Sequence, residues 1–209
     1  MIRVGLTGTV AAGKSTVGDL FERWGASRVD ADLLARQAVA PGSTGLSQVV
    51  RRFGESVLTA DGRVDRKALR RVVFSDDRAR EDLEAIVHAE VRRLRAEWRD
   101  GEEAGGLAVL VEEIPLLFET GLTGDYDVIV VVDAPAADRR ERAMQARDWT
   151  PEEFDAIDGA QLDADTKRDL ADYVIWNDGG RDELEEAARR VWEAIDGAAA
   201  DGNLARTQD

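Results

Sequence analysis

Gly8-Thr9-Val10-Ala11-Ala12-Gly13-Lys14-Ser15-Thr16 follows the apolar run Ile2 to Leu6 directly and fills every fixed position of the pattern Gly-x-x-x-x-Gly-Lys-Ser/Thr. Glycine at both ends of the loop lets the backbone wrap tightly, so that successive N–H groups point inward at a phosphate. Lys14 is then placed for the β- and γ-phosphates of a nucleotide and the Ser15 hydroxyl for Mg²⁺. The stretch Thr16 to Phe21 reads as a helix whose N-terminus faces the anion. Gly8, Ala11, Ala12, Gly13, Lys14, Ser15 and Thr16 are the expected nucleotide-binding residues. The bland alternative is a glycine-rich turn that happens to hold Lys and Ser; the order strand, loop, helix speaks against it.

Outward from the loop, five short β-branched runs punctuate helical stretches: Ile2 to Leu6, Ser27 to Asp30, Leu107 to Glu112, Val128 to Asp133 and Tyr173 to Trp176. Such alternation predicts an α/β fold of the three-layer P-loop type, a five-stranded parallel sheet with helices on both faces. The third and fourth runs are almost wholly apolar, as central strands are, and the second and fifth are expected edges. Between Asp32 and Arg99 only helices are expected: Leu33 to Val39, Gly45 to Phe53, Asp65 to Phe74 and Arg78 to Arg99. In the last, Leu83, Ile86, Val87, Val91, Leu94 and Trp98 recur at helical spacing and predict a buried face. Gly101, Gly105 and Gly106 mark a turn over Asp100 to Gly106. Thr150-Pro151-Glu152-Glu153 reads as a capped helix start inside a charged helical hairpin. A final helix is expected over Asp182 to Ile195, ending near Gly197. The organisation is thus a single domain with a nucleotide-binding core (about 1–31, 106–136 and 168–197), a helical insertion (about 32–105), a lid (about 137–167) and a disordered tail (198–209).

Composition narrows the function. The 209 residues carry 43 acidic against 28 basic side chains, a net charge of −15 that opposes binding to nucleic acid. Without cysteine and with His88 as the sole histidine, neither a disulfide framework nor a thiolate or histidine zinc site is available. The longest apolar runs fall far short of the roughly 20 residues that span a bilayer. Arg3 within the first run is unlike a signal peptide. A cytoplasmic location and no obligate protein partner are the expectations.

Several side chains carry chemistry. Asp30 and Asp32 close the second run, and the carboxyl end of a strand beside the phosphate-loop strand opens on the same crevice. A carboxylate there accepts the proton of an attacking hydroxyl or helps hold Mg²⁺; one of the pair is also expected to cap the following helix. Arg139, Arg140, Arg142 and Arg147 crowd the segment after the fourth run, where positive charge closing over phosphates favours transfer; a solvated ion-paired face is the alternative. Glu112 and Glu113 end the third run, where a carboxylate near the metal is common. Leu116, Leu117 and Phe118 read as core packing, His88 as a packed or capping residue, and the five tryptophans as dispersed packing rather than a stacking platform.

Taken together, Leu6-Thr7-Gly8 through Val17, Val29-Asp30-Ala31-Asp32 with Ala35-Arg36, Phe53-Gly54, Asp61-Gly62, Leu83 through His88, Ile114-Pro115-Leu116-Leu117-Phe118-Glu119, Gln161 with Lys167, and Asn177-Asp178-Gly179 resemble the dephospho-coenzyme A kinase family nearly end to end. The resemblance implies ATP-dependent phosphorylation of the ribose 3′-hydroxyl of dephospho-coenzyme A, with Mg²⁺. It implies that Asp32 is the base, that Lys14 and the loop amides hold ATP, and that Ser15 meets the metal. Asp30, Arg36, His88, Pro115, Leu116, Leu117 and Glu119 would lie along the acceptor, Arg140, Arg142 and Arg147 in the lid, and Asn177 near the adenine. Three departures stand out. Thr9-Val10-Ala11-Ala12 replaces the family's usual Gly-Ile-Gly-Ser, Ala89 follows His88 where the family commonly has Pro, and Arg142 and Arg147 are five apart where four is usual. The rival readings are a shikimate-, gluconate- or nucleoside-monophosphate-type kinase and, from another class, a nucleotide-dependent switch, although the guanine-reading Asn-Lys-x-Asp signature is absent.

Overall fold

The computed structural model describes residues 1–74 and 76–201. By packing, the chain divides into two compact units, Met1–Val29 with Glu102–Asp209, and Asp30–Gly101. The first holds the sheet. Its strands are β1 (Ile2–Gly8), β2 (Ser27–Asp30), β3 (Val109–Glu113), β4 (Val128–Asp133) and β5 (Tyr173–Trp176), in the spatial order β2-β3-β1-β4-β5. The pairings of β1 with β3, β1 with β4 and β4 with β5 are parallel, with Leu6 opposite Glu113 and Gly8 opposite Val132. Every residue of β3 and β4 is buried, as strands covered on both faces must be, and the two shortest strands are the edges.

Two helices supply one side of the core. In α1 (Lys14–Arg23), Val17, Leu20 and Phe21 are buried. In α9 (Arg181–Asp201), Leu184, Ala188, Val191, Trp192 and Ile195 recur on one face. Phe21 and Trp192 meet with ring centroids 5.5 Å apart at a tilt of 43°, the offset geometry aromatic quadrupoles favour. The helix does not stop near Gly197 as expected. It continues to Asp201, with Ala198 and Ala199 against the core, so the expected disordered tail does not begin at 198; alanine is the strongest helix former, and one glycine costs only about 1 kcal/mol. The remainder of that expectation, 202–209, lies outside the described residues.

Between β4 and β5 run α6 (Ala136–Arg147), α7 (Pro151–Asp158) and α8 (Ala164–Asp169). The start of α7 is a full capping box: Thr150 Oγ1 accepts from Glu153 N, Glu153 accepts from Thr150 N, and Pro151 holds the first helical position.

The second unit is helical: α2 (Ala31–Ala38), α3 (Thr44–Phe53), α4 (Arg66–Phe74) and most of α5 (Asp77–Ala104), around Val49, Val57 and Leu69. Leu83 and Ile86 pack on this core. The apolar face predicted for α5 is only half-buried, whereas the buried residues of the helix are Ala79 and the charged Glu90 and Arg95. The helix also passes through the turn expected at Asp100. Gly101 is helical, and the stop is a Schellman motif in which Gly106 (φ 76) takes the left-handed position, with Gly106 N donating to Glu103 O and Leu107 N to Glu102 O.

Candidate active site

The chain leaves β1 through Gly8 (φ 149), turns over Thr9 to Ala12, and enters α1 at Gly13 (φ 100). A Cβ on Gly8 would lie 2.0 Å from Val132 O, and one on Gly13 2.6 Å from Asn177 Nδ2, so both positions demand glycine by space as well as by dihedral. The helix begins two residues earlier than the sequence suggested, at Lys14. Its N-cap Gly13 offers no side-chain acceptor, which leaves first-turn amides for an anion. Lys14 Nζ folds across the loop, donating to Gly8 O (3.3 Å) and Thr9 O (3.1 Å). Ala11 stands at φ 57, the left-handed region, at the position where the family's usual sequence has glycine.

The strand ends brace this loop. Ser15 Oγ donates to Glu113 Oε1 (2.8 Å), whose other oxygen accepts from Arg28 Nη1 (3.2 Å). Thr9 Oγ1 donates to Asp133 Oδ1 (2.7 Å), and Arg168 pairs with the far oxygen of that carboxylate, which raises the guanidinium's pKa above its ordinary value. Asn177, buried, donates from Nδ2 to Ala12 O (2.8 Å). Its carbonyl accepts from Arg142 Nη2 (3.0 Å), while Arg142 Nη1 is buried with no hydrogen-bond partner. A buried cationic donor with no protein partner beside the loop is suited to an anion. Arg139, itself buried, donates from Nε to Ala134 O (3.0 Å) and from Nη1 to Val10 O (3.4 Å), and Val10 packs on Ala143 and Phe154.

Gly8, Ala11, Ala12, Gly13, Lys14, Ser15, Asn177 and Arg142 are thus brought together, with Thr16 exposed in the first turn of α1. The other predicted lid arginines are held differently. Arg140 pairs with Asp155, and Arg147 lies over the Trp149 ring at 4.9 Å. After β3, Pro115 O accepts from Thr7 Oγ1 (3.4 Å), Leu117 is fully buried and Leu116 exposed. Glu119 pairs with Lys167 Nζ (2.9 Å), a fully buried ammonium, and accepts from Leu162 N (2.8 Å). Burial pushes the Glu119 carboxyl up, but these two donors outweigh it and hold it below its ordinary value.

In the helical unit Asp30 is the cap: Oδ1 accepts from Asp32 N (2.7 Å) and Leu33 N (3.2 Å). The Asp32 carboxylate itself is exposed in the first turn of α2. Arg36 and His88 are also exposed. His88 is therefore not the packed residue expected. Nor is Trp176 core packing: it is 41% exposed, with the Arg168 guanidinium over its ring at 5.4 Å.

Sequence reasoning did not single out the Thr9 side chain, Arg28, Asp133 or Arg168. For Asp133 a signal existed, since it closes a central parallel strand as Glu113 does, at the end where such sheets bind ligands. Nothing in the sequence distinguished Arg139 from its neighbours.

A phosphate loop joining the central strand of a parallel sheet to α1, with a Ser–carboxylate pair at its lysine and arginine donors from the helices after β4, defines the class: a P-loop kinase. The family model for dephospho-CoA kinase matches residues 2–183. The dephospho-CoA kinase of Thermobifida fusca is 38% identical over 199 residues, 93% of this chain and 96% of its own. Among solved structures, the Thermus thermophilus protein TT1252 superposes with a TM-score of 0.78 at 38% identity, covering 92% of this chain and 96% of that one. The Campylobacter jejuni dephospho-CoA kinase does so with 0.69 at 26%, covering 93% and 98%. The chain belongs to the dephospho-CoA kinase family, whose reaction is the last step of coenzyme A biosynthesis.

Proposed function

We propose that the protein transfers the γ-phosphoryl group of ATP to the ribose 3′-hydroxyl of dephospho-coenzyme A, giving coenzyme A and ADP in the cytoplasm. The observation that carries the reading is the phosphate loop itself, complete in sequence and folded with Lys14, Ser15 and the first-turn amides around it, in a chain matched by the family over residues 2–183. No helix among the described residues is long and apolar enough to cross a membrane.

In this reading the loop amides and Lys14 hold the β- and γ-phosphates, and Arg142 turns its unpaired nitrogen to the charge that develops on transfer. The Asp32 carboxylate takes the proton of the 3′-hydroxyl. The oxygen forms a bond to the γ-phosphorus in line with the bond that breaks, and the electron pair of that bond leaves with the β-phosphate oxygen of ADP. Arg36 offers charge to the acceptor's pyrophosphate, with Asp30, His88 and the Pro115 to Leu117 turn along the remainder. Glu119, clasped by Lys167, fixes that turn from behind.

The donor chemistry fits Mg²⁺. The Ser15 hydroxyl and the Glu113 carboxylate are hard oxygen ligands 2.8 Å apart, and Mg²⁺ takes one or two such groups plus phosphates and water. Bound there, the ion would neutralise charge on the phosphate oxygens.

The test is phosphoryl transfer by the purified protein with ATP and Mg²⁺, offered dephospho-coenzyme A, shikimate, gluconate and CMP in parallel. Coenzyme A formation, with the other acceptors at least about a hundredfold slower, is expected; such discrimination follows when polar groups that lose their water on binding find partners on only one acceptor. Consumption of a rival acceptor alone would refute the proposal.

A further inference from the structure

The phosphate loop contains a strained residue, and the structure holds a compensation. Ala11 lies at φ 57, a region that a side chain disfavours, where glycine would lie without strain. On either side of it the chain is pinned. After it, Ala12 O accepts from the buried Asn177 Nδ2 at 2.8 Å. Before it, the Thr9 hydroxyl donates to Asp133 Oδ1 at 2.7 Å. Thr9 is 3% exposed and Asp133 1%, so this bond is dry and involves a charge, the circumstances in which one hydrogen bond counts most. The Asp133 carboxylate is held in turn by Arg168, and its backbone carbonyl accepts from Asn177 N at 2.8 Å, so both pins rest on one residue at the end of β4. The Thr9 carbonyl accepts from Ala12 N (3.3 Å) and from Lys14 Nζ (3.1 Å); moving Thr9 moves the amide turn and the lysine together.

We propose that Thr9 and Arg168 are positioning residues for the nucleotide: through Asp133 they hold the loop in the phosphate-receiving shape against the strain at Ala11. Released at Thr9, Ala11 relaxes toward negative φ and the Ala12 and Gly13 amides turn away from the β-phosphate. The inference rests on the loop being the ATP site.

The experiment measures ADP affinity by titration calorimetry, with kcat and KM for each substrate. Thr9→Val removes the hydroxyl with the shape kept and should weaken ADP binding and raise KM for ATP by about tenfold, the size expected for a buried hydrogen bond to a charge. KM for dephospho-coenzyme A should stay within about twofold. Thr9→Ser should bind as the wild type, and Arg168→Leu, acting from outside the loop, should weaken ADP in the same direction by less. The decisive variant is Thr9→Val with Ala11→Gly: with no strain to hold, ADP affinity should return to within about threefold of wild type. Unchanged ADP binding in Thr9→Val overturns the proposal, as does a loss that Ala11→Gly fails to relieve, which would mark Thr9 as a mere partner for a buried carboxylate. Thermal melts on each variant exclude misfolding as the cause. A wild type that fails to bind ADP at all refutes the functional reading instead, and this inference with it.

Discussion

The two units carry their polar groups in opposite fashion. At the strand ends of the sheet unit, Glu113, Asp133 and Asn177 are buried, and each is hydrogen-bonded to the phosphate loop, through Ser15, Thr9 and Ala12 respectively. In the helical unit, Asp32, Arg36 and His88 stand exposed on α2 and α5, and the one predicted acceptor-side carboxylate with a structural bond, Asp30, spends it on capping α2. The phosphate loop is thus held by the protein's own hydrogen bonds, which is what electrostatic stabilisation of a phosphoryl group requires, since preorganised dipoles need no reorientation during transfer. If Asp32, Arg36 and His88 meet the acceptor as proposed, these exposed groups contribute to the extent that the acceptor strips water from them.

If that contrast is right, substitutions at the phosphate loop should damage nucleotide handling, and those in the helical unit should damage transfer or local stability with the nucleotide bound normally. The largest effect is expected for Lys14→Met, a loss of about 10²- to 10³-fold in kcat as one charged phosphate donor disappears. Steady-state kinetics with saturating acceptor reads it, and near-wild-type turnover would break the donor-side account. Gly13→Ala comes next. Its Cβ would meet Asn177 Nδ2 at 2.6 Å and its φ of 100 is forbidden to alanine, so ADP affinity should fall by at least about tenfold, the equivalent of about 1–2 kcal/mol of left-handed strain. In the helical unit Asp30→Ala should cost about 1 kcal/mol of cap, seen as a drop of roughly 2–4 °C in Tm with ADP binding intact. A matching loss of ADP affinity would erase the distinction between the units.

The smallest effect concerns pH. Glu119 sits below its ordinary value of 4.5 because Lys167 and the Leu162 amide outweigh burial. A depressed carboxyl contributes stability that is whole above about pH 4.5 and lost as pH falls through the lower folded value. Glu119→Gln should therefore lower the melting temperature at neutral pH and converge with wild type in acid; parallel curves would remove the ion pair from the account.

Much of this was legible in the residues. The three central strands declared themselves by apolar runs, because a sheet covered on both faces leaves such stretches with few readings, and the two edges were read from their shorter runs between helices. The phosphate loop announced its ligand through glycines that the structure confirms at Gly8 and Gly13, where a neighbouring backbone or side chain leaves no room. Helix ends were harder. Gly101 and Gly197 looked like stops and are not, since a single glycine's cost is overridden by long favourable flanks, whereas Gly106 stops α5 through its dihedral, which sequence spacing does not display. The buried polar network was least visible. Thr9, Asp133 and Arg168 lie far apart in the chain, and the bond that joins Thr9 to Asp133 spans 124 positions. Only the fold brings them together. The exposure of His88 on a helix whose apolar stripe is half-buried was hidden for a related reason: periodicity tells which residues share a face, not how completely it is covered.

The central claim, a preorganised donor site served by a separate acceptor-side base, is tested most directly with Asp32→Asn, measuring ADP affinity and the rate of coenzyme A formation on the same sample. The account predicts wild-type ADP binding with transfer slowed by about 10²-fold or more, the contribution of a positioned general base. Transfer at the wild-type rate, or a loss fully explained by weakened ADP binding, would contradict it.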